Sequence, residues 1–267
     1  MMQDNATAVI SDVHSNLEAL EAVLGDIRKQ NIKNIISLGD IVGYGASPNE
    51  VIKLFIKQNI ESVRGNHDAA IFFCEEEHKE FNNHAHDAIE RTKCMLSEES
   101  KKYLKSLKDF LVIGGVRFVH GCPPDSYKDY VPDYVNERNA FRMFEEDLCF
   151  IGHTHRAIAY FSKKIEEGAT LRSEDFDVDR VAVEPNSSLA VRKDERAIFN
   201  PGSVGQPREK RLIYAKYFIL YNDNNNEKEI EFRHIPYDIE KSADKIRKIM
   251  KDDSLAEMLY GSASFSV

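Results

Sequence analysis

The stretch CFIGHTHRAIAY, residues 149–160, places His153 and His155 two positions apart where an apolar run ends. In an extended chain residues two apart point to the same side, so both imidazoles can reach one spot. A neutral imidazole carries a bare nitrogen, and a pair of them suits a transition-metal cation. Two rings do not complete such a site, so other donors must arrive from elsewhere. The candidates share one setting, a short apolar run followed by polar donors. ATAVIS (6–11) leads to Asp12 and His14, NIISL (34–38) to Asp40, IESVR (60–64) to Asn66, His67 and Asp68, and VRFV to His120. Singly, each fragment is an ordinary turn or cap. Five such clusters in order, each at the end of a predicted strand, point to a metal site, because open α/β sheets bind ligands beyond the carboxyl ends of their strands. His78, His84, His86 and His234 stand outside these clusters. His84 and His86 fall in a helical pattern, where residues two apart do not share a face.

The elements that must position these donors follow from periodicity. Residues 6–11, 34–38 and 60–64 read as buried strands. Between them, NLEALEAVLGDIRKQ (16–30) puts Leu17, Leu20, Val23, Leu24 and Ile27 on one helical face with Asn16 as N-cap. SPNEVIKLFIKQ (47–58) is a second helix, with Ser47 as cap and Pro48 in its first turn. Strand-helix alternation with short connections predicts parallel pairing. Residues 69–109 break that alternation with a charged helical pattern, SEES capping its last part, and read as a helical insertion packed on the sheet or over its edge. FLVIGGVRFVHG (110–121) predicts a hairpin turning at Gly114-Gly115. Further strands are expected at 148–152, 157–161, 197–200, 214–221 and 228–235, a surface excursion at 162–180, a turn at NDNNNE (222–227) and a helix at 238–251. Residues 252–267 carry weak signals and are expected to fray.

The chain has 267 residues, 42% hydrophobic and 30% charged, which suits a soluble globular protein with a sizeable core. No run approaches the roughly 20 apolar residues of a membrane span, and the start lacks the pattern of a signal peptide. A net charge of −9 disfavours non-specific binding to nucleic acid or anionic membrane, while leaving room for a small anionic substrate at a local positive site. Cys74, Cys94, Cys122 and Cys149 are scattered without a CxxC pair, which fits thiols in a reducing cytoplasm.

As a set, SDVHSN, LGDIVGYG, RGNHD, VHG and IGHTH resemble the motifs of the calcineurin-like metallophosphoesterase superfamily, and most of all its small prokaryotic phosphodiesterase branch. FNPGSVGQPR (199–208) is similar to a further segment of that branch, so the likeness covers most of the chain. The resemblance implies a single α/β (α+β) domain over residues 1–267, a four-layer αββα sandwich of two mixed sheets with helices outside, carrying the insertion at about 69–109. It also implies two divalent metal ions. Asp12, His14 and His155 would hold one and Asn66, His120 and His153 the other, with Asp40 bridging. His67 would be the general acid, steadied by Asp68, with Asn66, His67 and Arg208 as substrate contacts. Mixed imidazole and carboxylate donors suit manganese, iron, zinc, cobalt or nickel over calcium, and the resemblance implies manganese first, with magnesium also open.

Two carboxylates against two dications leave a surplus of about +2, enough to hold a phosphate in an acidic protein. The expected reaction is in-line attack on phosphorus by a hydroxide held between the ions, with His67 protonating the leaving group. One departure narrows the substrate. Gly43 and Tyr44 stand where the family's protein phosphatases carry Asp-Arg, which removes a bidentate phosphate clamp and favours phosphodiesters or small nucleotides of cyclic or dinucleoside polyphosphate type. The alternatives are a phosphomonoesterase or protein phosphatase, and a catalytically silent protein-binding scaffold, against which the filled ligand positions argue.

Overall fold

A computed structural model describes residues 6–73, 81–128, 134–165, 176–208, 214–222 and 228–261. The first five elements follow the predicted alternation: β1 (Ala6–Ile10), α1 (Leu17–Lys29), β2 (Asn34–Ser37), α2 (Pro48–Lys57) and β3 (Glu61–Ser62). Both strand pairs, β1 with β2 and β2 with β3, are parallel. Asn16 caps α1 by accepting from the Ala19 N–H at 3.2 Å, a bond of a kind worth about 1 kcal/mol. Ser47 stands at the N-cap of α2 but makes no side-chain capping bond. Three helices follow, α3 (Asn66–Ala70), α4 (Asn83–Met95) and α5 (Glu98–Lys105), the last capped by Ser97. Ile89, Leu96 and Leu104 pack with Phe55 and Ile60 beside α2, on the outer face of the first sheet.

The hairpin forms as expected from β4 (Phe110–Ile113) and β5 (Val116–Val119), with Gly114 and Gly115 both in the left-handed region that a two-residue turn requires. Then come α6 (Tyr134–Arg142), β6 (Leu148–Phe150), β7 (Ala157–Lys163), β8 (Val178–Ala182), β9 (Ser188–Val191), β10 (Glu195–Pro201), β11 (Ala215–Asn222) and β12 (Lys228–Ile235). The chain closes with α7 (Ile239–Lys245), a π-helical turn at Ile246–Met250, and α8 (Asp253–Met258).

The strands form two six-stranded mixed sheets, ordered β3-β2-β1-β11-β12-β9 and β4-β5-β6-β10-β7-β8. Alternation along each strand builds the layers. Val9, Phe218 and Phe232 of the first sheet meet Phe118, Phe150 and Phe199 of the second in a shared interior. Ala8, Ile10 and Tyr217 turn outward onto α1 and α2, while Val119, Cys149 and Ile198 turn outward onto Phe141 and Phe144. Truncating one of the central phenylalanines to alanine removes about 3–5 kcal/mol.

Two expectations need correction. The excursion at 162–180 is not wholly surface: Ser162 and Lys163 extend β7, residues 178–180 lie in β8, and Phe176 is buried against Phe141. Residues 252–261 do not fray. Leu255, Ala256 and Met258 of α8 are buried against Ala85 and Ala88, an apolar spacing too short to stand out in the sequence. His78, residues 166–175, the turn at 223–227 and the last six residues lie outside the described residues. Among the described residues no helix is long and apolar enough to cross a membrane.

Candidate metal centre

The carboxyl ends of β1, β2, β3, β5 and β6 open onto one rim, and the polar clusters that follow them converge there. The backbone makes the convergence possible by turning sharply after each strand. Asp12, His14, Asp40, His153 and His155 have φ of 53°, 47°, 52°, 68° and 60°. Left-handed backbone is uncommon for residues with a Cβ and costs of order 1 kcal/mol or more at each. Hydrogen bonds between loops hold it: Asp12 N–H to Gly39 carbonyl at 3.1 Å, His14 N–H to Asp40 carbonyl at 2.9 Å, and Gly152 N–H to His120 carbonyl at 2.7 Å. Gly65 has to be glycine. A Cβ there would stand 2.1 Å from Asp40 Oδ1.

Two ligand groups result, Asp12, His14, Asp40 and His155, and Asp40, His120 and His153, each with donor atoms within 4.8 Å of one another. Asp40 belongs to both. Its Oδ2 lies 3.6 Å from His14 Nε2 and 3.3 Å from His120 Nε2. Asn66 joins the second group, with Oδ1 3.1 Å from His120 Nε2. Each of the four histidines gives its other ring nitrogen to a main-chain carbonyl. His14 Nδ1 meets Val42 at 3.0 Å, His120 Nδ1 meets Leu38 at 2.7 Å, His155 Nδ1 meets Gln206 at 2.7 Å, and His153 Nε2 meets Lys128 at 3.1 Å. A carbonyl can only accept, so the proton is on that nitrogen and the opposite nitrogen is left to bind a cation.

The electrostatics agree for three of the four rings, and at the fourth a cation would have to displace a proton shared with Asp40. Burial lowers the pKa of His14, His155 and His153, the last to about 3, which keeps the three rings neutral. His120 is also pulled down by burial, but Asp40 outweighs this and raises it to about 9. Asp12 Oδ1 is buried without a hydrogen-bond partner, 3.3 Å from His155 Nε2. Orphaned buried donors of one charge type, aimed at a common point, fit divalent cations.

Around this centre the remaining residues take distinct places. His67 is buried, its ring centroid 4.8 Å from that of His14 and 4.6 Å from that of Tyr44. Its Nδ1 is buried without a partner, facing Gly43, where a Cβ would come within 2.5 Å, so Nε2 is the nitrogen available to a substrate. Burial lowers its pKa, and the Arg208 charge acts in the same direction. Asp68 does not reach His67. Its carboxylate accepts from the N–H groups of Ile41, Val42 and Gly65 at 2.9, 3.2 and 3.0 Å, fastening the Asp40 loop to the start of α3. Burial first, and Asp40 second, raise its pKa to about 7. Arg208 is half-buried and stands two residues past Gln206, whose carbonyl accepts from His155 Nδ1 at 2.7 Å, which brings its main chain beside the first ligand group. His84, His86 and His234 belong to neither group.

Sequence reasoning did not single out the residues that hold the loops together. Asn200 donates to the Gly152 carbonyl at 2.6 Å, Ser203 donates to the Asp12 carbonyl at 2.8 Å, and Asn16 donates to the Gly205 carbonyl at 2.9 Å. Asn16 also accepts from Ser242 of α7 at 2.9 Å. The dense small and polar residues of NPGSVGQ were the one signal available, and it marked a loop rather than a brace. Tyr44, buried and in contact with both His14 and His67, fills the place of the missing arginine with an aromatic wall.

Two mixed sheets face to face, flanked by helices and carrying a buried Asp/His cluster at their strand ends, define a metallophosphoesterase. The model of the calcineurin-like phosphoesterase superfamily domain matches residues 6–225, and the chain belongs to that superfamily. An uncharacterized protein of Methanocaldococcus jannaschii is 38% identical over 265 residues, covering 97% of this chain and 99% of that one. The crystal structure of a metallophosphoesterase from Sphaerobacter thermophilus is similar at TM-score 0.78 and 34% identity, covering 97% of this chain and 99% of that one. The chain is accordingly a phosphoester hydrolase.

Proposed function

We propose that the protein is a dinuclear metal-dependent phosphoesterase acting on phosphodiesters or small nucleotides. One observation carries the reading: four histidines, each with one ring N–H given to a main-chain carbonyl, turn their other ring nitrogens toward Asp12, Asn66 and a shared Asp40. Asp12, His14 and His155 would hold one ion, Asn66, His120 and His153 the other, and Asp40 both. Manganese is the first expectation for their identity. Divalent ions there would supply Lewis acidity and a water of lowered pKa.

The chain's own residues do the rest. Asn66 and Arg208 orient the phosphate, Arg208 standing in for the clamp that Tyr44 does not provide. His67 presents Nε2 to the leaving oxygen and gives it a proton, a role typically worth about 10²–10⁴-fold. Asp68 acts on His67 only through the backbone that it fastens. The buried wall of Tyr44 keeps water from the inner side of His67. The test is a panel of phosphodiesters, phosphomonoesters and dinucleoside polyphosphates assayed with manganese, magnesium, cobalt or nickel. Diester or nucleotide hydrolysis is expected, and preference for monoesters throughout would overturn the substrate assignment.

A further inference from the structure

Arg208 flanks the first ligand group, and a second cation flanks the other. Lys128 lies in the loop after β5, and its carbonyl accepts from His153 Nε2 at 3.1 Å, which fixes its main chain beside the second group. Its ammonium lies 5.5 Å from the centroid of the Phe73 ring and 5.9 Å from that of Tyr127. The side chain is exposed, and among the described residues no carboxylate pairs with it or with Arg208.

A lone phosphate oriented by Asn66 and Arg208 has no second anionic group for Lys128 to meet. A ligand that engages both cations needs anionic groups in series. Phe73 and Tyr127 add half-exposed aromatic faces beside the ammonium, a surface on which a nucleobase can stack. Cation and rings together match a nucleotide better than an aliphatic diester. We propose that Lys128, Tyr127 and Phe73 form a second substrate subsite on the His153 side, taking the second phosphate and the base of a nucleoside di- or polyphosphate. This rests on the phosphoesterase reading given above and narrows its substrate class.

The test is calorimetric titration of manganese-loaded protein with the non-hydrolysable α,β-methylene analogue of ADP and with inorganic phosphate. The wild-type protein is expected to bind the analogue at least about tenfold more tightly than phosphate. Lys128→Ala, which keeps the carbonyl that His153 needs, should lose most of that preference. Lys128→Gln, which keeps the stem over both rings, should lose it too. Tyr127→Leu should weaken the ADP analogue more than methylenediphosphonate. Equal loss for the ADP analogue and phosphate, no loss, or a wild-type protein without preference would overturn the subsite. A preference that depends on Lys128 in a protein that hydrolyses no nucleotide or diester would support the subsite and count against the substrate assignment made above.

Discussion

Nε2 of His14 lies 3.1 Å from Nε2 of His155, and neither nitrogen has a proton to give the other. Both rings have committed their N–H to carbonyls, those of Val42 and Gln206. Two facing lone pairs in a buried space repel, and the unpartnered Asp12 Oδ1 adds a third acceptor. A dication between them turns repulsion into attraction. Protein stripped with EDTA and then titrated with manganese should therefore gain thermal stability. At a hundred times Kd the gain is about 2.7 kcal/mol per site, or roughly 5–10 °C for a chain of this size. A melting temperature that ignores manganese, cobalt, iron(II) and zinc alike would end the metal assignment.

Asp40 Oδ2 reaches a histidine of each group, so the two proposed sites would share one donor. Asp40→Ala should abolish both equivalents of bound metal, and His155→Ala only one. Elemental analysis of reconstituted protein decides this. Full occupancy in Asp40→Ala would show that the ions do not share it.

At Gly65 the φ of −94° suits any residue, so the cost of a side chain there is purely steric. Gly65→Ala presses on Asp40 Oδ1 and should cost about 1–3 kcal/mol while lowering metal content. A variant with normal metal binding and an unchanged melting temperature would show that the loop yields freely.

Replacing His67 with alanine should leave both metal equivalents in place. Turnover should fall about 10²–10⁴-fold on esters with poor leaving groups and much less on p-nitrophenyl esters, whose leaving group needs no proton. Loss of metal, or equal slowing of both ester types, would remove the acid role.

His234 provides a pH test remote from the metal ligands. Burial first, and the neighbouring Lys216 ammonium second, push its pKa down to about 4, against about 6.5 in an unfolded chain. Between those values the unfolded state binds a proton that the folded state refuses, so stability falls as pH falls from about 6.5 to 4. His234→Gln should flatten that part of the stability profile measured by urea unfolding. An unchanged slope would mean that other groups dominate it.

The donors were legible because each follows a strand, and strand periodicity is strong in short buried runs such as ATAVIS. The first half of the fold was legible for the same reason. Most later strands, from 110 to 235, were legible too, but β8, β9 and α8 were not. β8 and β9 are edge strands with several exposed positions, and α8 is too short for its apolar spacing to register. The contact between Asp68 and the Asp40 loop was hidden because the family resemblance implied a partnership of Asp68 with His67, whereas at the start of α3 its carboxylate turns to main-chain N–H groups. Lys128 was hidden for the opposite reason. Its role begins at a main-chain carbonyl, which every residue type possesses.

Five of the seven proposed metal-binding residues hold a twisted, left-handed main chain. Glycine would adopt that shape without penalty, and asparagine nearly so. A laboratory screen that heats EDTA-stripped random variants and scores only their survival should therefore enrich substitutions at these positions, and the survivors would be inert. Endurance and turnover pull these loops in opposite directions, so heat resistance alone is a poor proxy for a working copy of this hydrolase.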